Sequence, residues 1–179
     1  MRSVQRVITN LPLPGILHSM STSSLAAALP IDGRQSPAAL KIARGTTRLL
    51  HSLGFSVVSE LPLASGRRAD LVALGGNGDL WIVEIKSSVA DFRADQKWMD
   101  YRLHCDRLFF ATSLDVPCEI FPADTGLIVA DAYGASIHCE APEHRLHAAT
   151  RRSMMLAFAH AAALRLAALS DPDGPYGEF

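Results

Sequence analysis

Two short apolar runs, Leu71–Leu74 and Leu80–Ile85, flank the turn sequence Gly75-Gly76-Asn77-Gly78-Asp79, and their outer ends carry Asp70, Glu84 and Lys86. Runs of this length, rich in β-branched residues and parted by glycine and asparagine, predict an antiparallel hairpin. With residues 75–79 as the loop, Leu74 faces Leu80, Val72 faces Ile82 and Asp70 faces Glu84. Directly opposed residues have Cβ atoms about 4.5–5.5 Å apart, and the two-residue period of a strand sets Lys86 on the same face as Glu84. One face then holds Val72, Leu74, Leu80 and Ile82 and ends in the three charges. The other holds Leu71, Trp81, Val83 and Ile85. A hairpin that is apolar on both faces belongs in the covered middle of a sheet.

Two carboxylates facing each other across a hairpin repel, and one takes up a proton unless a cation sits between them. A divalent metal resolves the conflict, since Mg²⁺ takes oxygen ligands from one or two carboxylates and completes its shell with water and phosphate oxygens. A lysine two residues on can contact the attacking water or the developing phosphate charge. These are the parts of metal-assisted phosphodiester hydrolysis. The plainer reading of the same residues is a solvated ion pair, Glu84 with Lys86 or Asp70 with Arg68.

Around the hairpin the pattern continues. Ser36-Pro37 reads as an N-cap and first helical position, and Ala39, Ile42, Ala43, Thr46, Leu49, Leu50 and Leu53 recur at helical spacing up to Gly54. Lys41, Arg44 and Arg48 lie on the opposite side of that helix. Phe55 to Leu63 reads as a first strand and Asp70 to Leu74 as a second. A helix follows Ser87 or Ser88 to about Cys105, and a strand spans Arg107 to Thr112. Leu127 to Ala130 and Ala135 to Cys139 pair around Tyr133-Gly134, and a last helix runs from about Glu143 to Leu169. Strands first, then a strand–helix–strand crossover, predict an α/β chain with a mixed sheet and helices against it.

The 179 residues suffice for one domain, taken here as 36–169, with 1–35 as a disordered N-terminal extension and 170–179 as a flexible tail. Residues 1–31 have no acid, which also suits a transit peptide or a true start at Met20. No run of about 18 apolar residues occurs, so no membrane partner is expected and the expected location is cytoplasmic. Cys105, Cys118 and Cys139 are odd in number and form no Cys-x-x-Cys pair, which points away from disulfides and zinc. Net charge is −1, so nucleic-acid binding must come from local clusters rather than bulk charge. Arg67 and Arg68, and Arg145, Arg151 and Arg152 at the start of the last helix, are such clusters. The glycines at 75–78 are followed by a strand and by no Lys-Ser/Thr, which rules out a phosphate loop.

An aspartate, a hairpin and then Glu-x-Lys at a strand end before a helix resembles the signature of the PD-(D/E)XK nucleases, with Ala69 standing where the motif has proline. The stretches Arg67-Arg68-Ala69-Asp70-Leu71, Val83-Glu84-Ile85-Lys86-Ser87-Ser88, Asp91-Phe92, Lys97-Trp98-x-x-Tyr101, Cys105-Asp106-Arg107 and Gly126-Leu127-Ile128-x-Ala130-Asp131 resemble the MmcB-type family of DNA-repair endonucleases. The resemblance covers roughly Leu40 to Leu169. It implies a restriction-endonuclease-like mixed central sheet flanked by helices. It also implies Mg²⁺ (or Mn²⁺) held by Asp70, Glu84 and the carbonyl of Ile85, with Lys86 assisting a water held at the metal. Glu60 would take the place of an acid that precedes the core hairpin, and Gln96 that of a helix glutamine near the site. Trp98 and Tyr101, three apart, are either core or a platform for a single-stranded base. The expectation is a DNA endonuclease in repair, with a second copy or a repair protein as further partner. A non-catalytic DNA-binding or scaffolding module on the same fold is the alternative, and an RNA- or nucleotide-directed hydrolase the third.

Overall fold

A computed structural model describes residues 36–95 and 97–176; the expectations for residues 1–35, for Gln96 and for the last three residues lie outside them. The chain runs α1 (Pro37–Ser52), β1 (Phe55–Pro62), β2 (Arg68–Gly75), β3 (Leu80–Ile85), α2 (Val89–Ala94), a 3-10 helix (Trp98–His104), β4 (Arg107–Thr112), a 3-10 turn (Cys118–Ile120), β5 (Gly126–Ala130), β6 (Ala135–Cys139) and α3 (Ala148–Ser170). The six strands form one sheet in the order β1-β2-β3-β4-β5-β6. β1, β2 and β3 are antiparallel neighbours, β3, β4 and β5 run parallel, and β6 returns antiparallel on β5. This mixed sheet flanked by helices is an α/β fold compatible with the restriction-endonuclease-like architecture.

The hairpin register is the one its loop length predicts: Leu74 pairs with Leu80 and Val72 with Ile82. The alternation then divides the core in two. Val72, Leu80, Ile82 and Leu108 meet Met154, Phe158 and Ala161 of α3, together with Tyr101 and Cys105. Leu71, Val83, Phe109 and Ile128 meet Ile42, Ala43 and Leu50 of α1. Both faces of the central strands are covered, as their unbroken apolar character requires. α1 begins as its sequence predicts, with Ser36 Oγ accepting the Ala39 N–H at 3.1 Å and proline in the first turn. It also packs unusually close to the β5–β6 turn. A Cβ on Gly45 would stand 2.2 Å from the Asp131 carbonyl oxygen and 2.4 Å from that of Gly134.

Two helix boundaries differ from those the periodicity predicts. The helix expected from Ser87 to Cys105 is broken. α2 stops at Ala94 and the chain resumes as a 3-10 helix at Trp98. Asp95 causes the break, for its side chain accepts the Lys97 N–H at 3.0 Å, the local bond by which aspartate competes with a helix. α3 starts at Ala148 rather than near Glu143. The preceding amides are already taken by Asp106: His144 N–H goes to its carbonyl at 2.7 Å and Leu146 N–H to its carboxylate at 3.0 Å.

Candidate active site

The β2–β3 ladder ends at Leu71↔Val83, one step short of Asp70 and Glu84. There the two side chains take over from the backbone. Asp70 Oδ2 accepts the Ile85 N–H at 2.7 Å, and Glu84 Oε1 accepts the Asp70 N–H at 3.2 Å. Each carboxylate is thus fixed by the opposite strand, and each has a second oxygen that no peptide N–H engages among the described residues. Across β1 the register places Glu60 level with Asp70, between Ser59↔Leu71 and Leu61↔Ala69. Glu60 departs from the ladder with φ +50°, a left-handed conformation rare for a non-glycine residue. Its carboxylate pairs with Arg68 at 2.5 Å, and Arg165 donates to the carbonyls of Ser59 and Glu60.

Lys86 leaves β3 on the same side and is 5% exposed. Its backbone is anchored to β4: its N–H donates to Ala111, and its carbonyl accepts the Thr112 hydroxyl. The ammonium donates to Asp95 Oδ2 at 2.6 Å and stands 3.9 Å from Glu84 Oε2. The plain ion pair of Glu84 with Lys86 is therefore the weaker contact, and Arg68 pairs with Glu60 rather than Asp70. Asp91, capped into α2 by Ser88, accepts both the N–H and the hydroxyl of Ser87. Asp70, Glu84, Lys86, Asp91, Asp95 and Tyr101, together with the start of α1 at Ser36 and Ala39, line a cavity of about 520 Å³.

The electrostatics follow from that crowding. Burial pushes the Asp70 carboxyl up to about 6, with Glu60 adding to the rise while the Ile85 N–H and Lys86 oppose it. Burial, then the adjacent Asp70, pushes Glu84 well above the usual carboxylate range. For Lys86 burial alone would favour the neutral amine, yet the bond to Asp95 and the charge of Glu84 outweigh it and raise its pKa. At neutral pH the lysine is an ammonium. Asp95, against the pull of its own burial, is lowered by the same bond.

Among the described residues no group of three or more His, Cys, Asp and Glu side chains forms a ready-made metal cage. What the cavity does offer is a pair of hard oxygen donors that burial and neighbouring acids leave under-neutralised. Ile85 lies beside them in the wall. That donor set fits Mg²⁺ or Mn²⁺, which take one or two carboxylates and leave the remaining positions to water and substrate oxygens.

The other sequence candidates divide. Arg67 is held by Asp100 at 3.0 Å, and Arg68 by Glu60. Trp98 and Tyr101 do not stand open as a stacking platform. Trp98 packs edge-on against Phe110 at 5.7 Å under the Arg102 guanidinium. Tyr101 is buried, and its hydroxyl donates to the Arg68 carbonyl at 3.1 Å. The three-residue spacing that aligns them on the 3-10 helix turns both inwards. Gln96 lies outside the described residues. Arg151 is not a surface cation either: it grips Asp106 through two nitrogens at 2.7 Å and donates to the Gly78 carbonyl. Sequence reasoning passed over Asp95 as the partner of Lys86. Its only signal is its four-residue distance from Asp91, which would align the two on the helix predicted after Ser88.

A model of the MmcB-like DNA repair proteins matches residues 27–173. The chain belongs to the MmcB-like family. A solved structure from Silicibacter pomeroyi, described as the SPO1766 protein of unknown function, is 45% identical. It covers 81% of this chain and 99% of its own, with a TM-score of 0.76. No curated protein matches. The family description places this MmcB-like chain among DNA repair proteins, and the similar structure carries the fold without adding an activity.

Proposed function

We propose that this MmcB-like protein is a metal-dependent endonuclease that hydrolyses DNA phosphodiester bonds in repair. The observation that carries the reading is the opened end of the β2–β3 hairpin, where Asp70 and Glu84 are each fixed by the opposite strand's N–H and face one cavity with Lys86. The family's description as DNA repair proteins supports the substrate class.

Asp70, Glu84 and the Ile85 carbonyl would hold the divalent ion. When bound, that ion supplies Lewis-acid charge at the scissile phosphate and eases ionisation of the attacking water. The chain's own residues do the rest. The peptide N–H of Ile85 and that of Asp70 orient the two carboxylates before any substrate arrives, so little reorganisation is needed. Asp95 and Glu84 favour the ammonium form of Lys86. It offers fixed positive charge and N–H donors to the phosphate oxygens as negative charge builds on them. Asp95 holds that ammonium at the cavity wall. Glu60, tied to Arg68, keeps the β1 side of Asp70 acidic and polar.

The reading is tested by titrating Mn²⁺ into the protein in a calorimeter beside Asp70→Asn. Saturable binding that the substitution abolishes is expected. Absence of binding in the unsubstituted protein refutes the metal site and leaves a non-catalytic DNA-binding module.

A further inference from the structure

α3 is apolar on two sides. One side, with Met154, Phe158 and Ala161, is buried against the sheet. On the opposite side lie Arg152, Leu156, Ala159, Ala163, Leu166 and Ser170, all exposed; Leu156 and Leu166 are 61% and 65% accessible. An apolar helix face is normally covered, and the described residues cover one of the two. By length and composition α3 would also pass for a membrane span. The six exposed positions step by four, three, four, three and four residues, one continuous stripe along which a second helix can lie.

The four inner positions of that stripe read the same from either end. About its midpoint at Ala161, Leu156 corresponds to Leu166, Ala159 to Ala163 and Arg152 to Ser170. An antiparallel copy related by a two-fold axis therefore sets leucine beside leucine at both ends. At the centre it sets alanine beside alanine, where small side chains let two backbones approach. Isologous contacts need this self-complementarity. Charge agrees with the direction. Arg145, before α3, is paired with Glu143 at 3.0 Å, but the first turns of α3 also carry exposed Arg152, and its end runs into exposed Asp171 and Asp173. Antiparallel packing brings each basic start to the acidic end of the other copy, whereas parallel packing would set like against like. A groove of about 610 Å³ at the start of α3, walled by Arg145, Leu146, Ala148, Arg152, Met155 and Leu156, continues the stripe and faces the acidic turn in that arrangement.

We infer that the outer face of α3 is a docking surface for a second copy of this chain, packed antiparallel through Leu156, Ala159, Ala163 and Leu166. The inference does not depend on the nuclease reading. Sedimentation of the full chain tests it. The unsubstituted protein is expected at twice the 19.3 kDa chain mass. Leu156→Glu alone and Leu166→Arg alone, at solvent-exposed positions, are expected to halve the mass with unchanged circular dichroism. Mixing those two variants is expected to restore the doubled mass, because only antiparallel packing brings position 156 against position 166. A protein that stays at the single-chain mass at every concentration overturns the inference, as does one that stays single yet floats with anionic phospholipid vesicles. A dimer indifferent to Leu156→Glu, or two single variants that fail to pair, overturns it equally.

Discussion

At the scale of residues, burial acts in opposite company on three acids. Burial raises both Asp70 and Glu84, with Glu60 adding to the first and Asp70 to the second, whereas Asp106, as buried as Glu84, is lowered. Burial opposes that lowering, but the Arg151 bond and the Leu146 and Leu80 amides overcome it. A depressed carboxyl stabilises the fold above its unfolded value of about 3.9, and the contribution is lost as pH falls through the folded value. Asp106→Ala is expected to cost about 1.5–3 kcal/mol, the range for losing hydrogen bonds to a charged group. It should also remove the part of the acid-induced loss of stability that lies below about pH 4. Chemical denaturation across the acid range measures both. An unchanged acid limb would assign that loss to other groups. Asp70, Glu84 and Lys86 were legible in the sequence because strand period and loop length fix who faces whom. The Asp106–Arg151 pair was not, because 45 residues separate its members and no local period links them.

At the scale of elements, the hairpin and the alternation of its two faces could be read directly, while helix limits could not. The break at Asp95 and the late start of α3 both arise where a side chain takes a backbone donor that a helix would have used. Apolar periodicity does not report such competition. The approach of α1 to the β5–β6 turn is equally silent, and it gives a prediction whose sign is unusual. Alanine in place of a mid-helix glycine normally gains about 1 kcal/mol. Gly45→Ala instead forces a Cβ to 2.2 Å from the Asp131 carbonyl oxygen, a backbone atom that cannot rotate away. A loss of about 1–3 kcal/mol is expected, as for overpacked cores, read from the midpoint of urea unfolding. A gain would mean that α1 shifts freely over the sheet.

At the scale of the whole molecule, the net charge of −1 leaves little general attraction for a polyanion. The cavity itself carries Asp70, Glu84, Asp91 and Asp95 against Lys86. Four carboxyl groups against one ammonium give phosphate little attraction there. DNA affinity is therefore expected to depend on a divalent cation: a labelled oligonucleotide should bind at least about tenfold more tightly with Ca²⁺ than with chelator, by fluorescence anisotropy. Equal affinity in both would place the DNA on some other face. The fold class was recoverable from the order of strands and helices, and the family match over residues 27–173 agrees with it. The full sheet order and the two-sided character of α3 emerged only in three dimensions. The central claim is that Asp70, Glu84 and Lys86 form one hydrolytic site. Its most direct test is cleavage of labelled single-stranded, duplex and branched DNA with Mg²⁺ or Mn²⁺, beside Asp70→Asn and Lys86→Ala. Metal-dependent cutting of at least one of these DNAs is expected, lowered by each substitution about 10²–10³-fold. Cutting that survives both substitutions, or no cutting of any of the three, contradicts it.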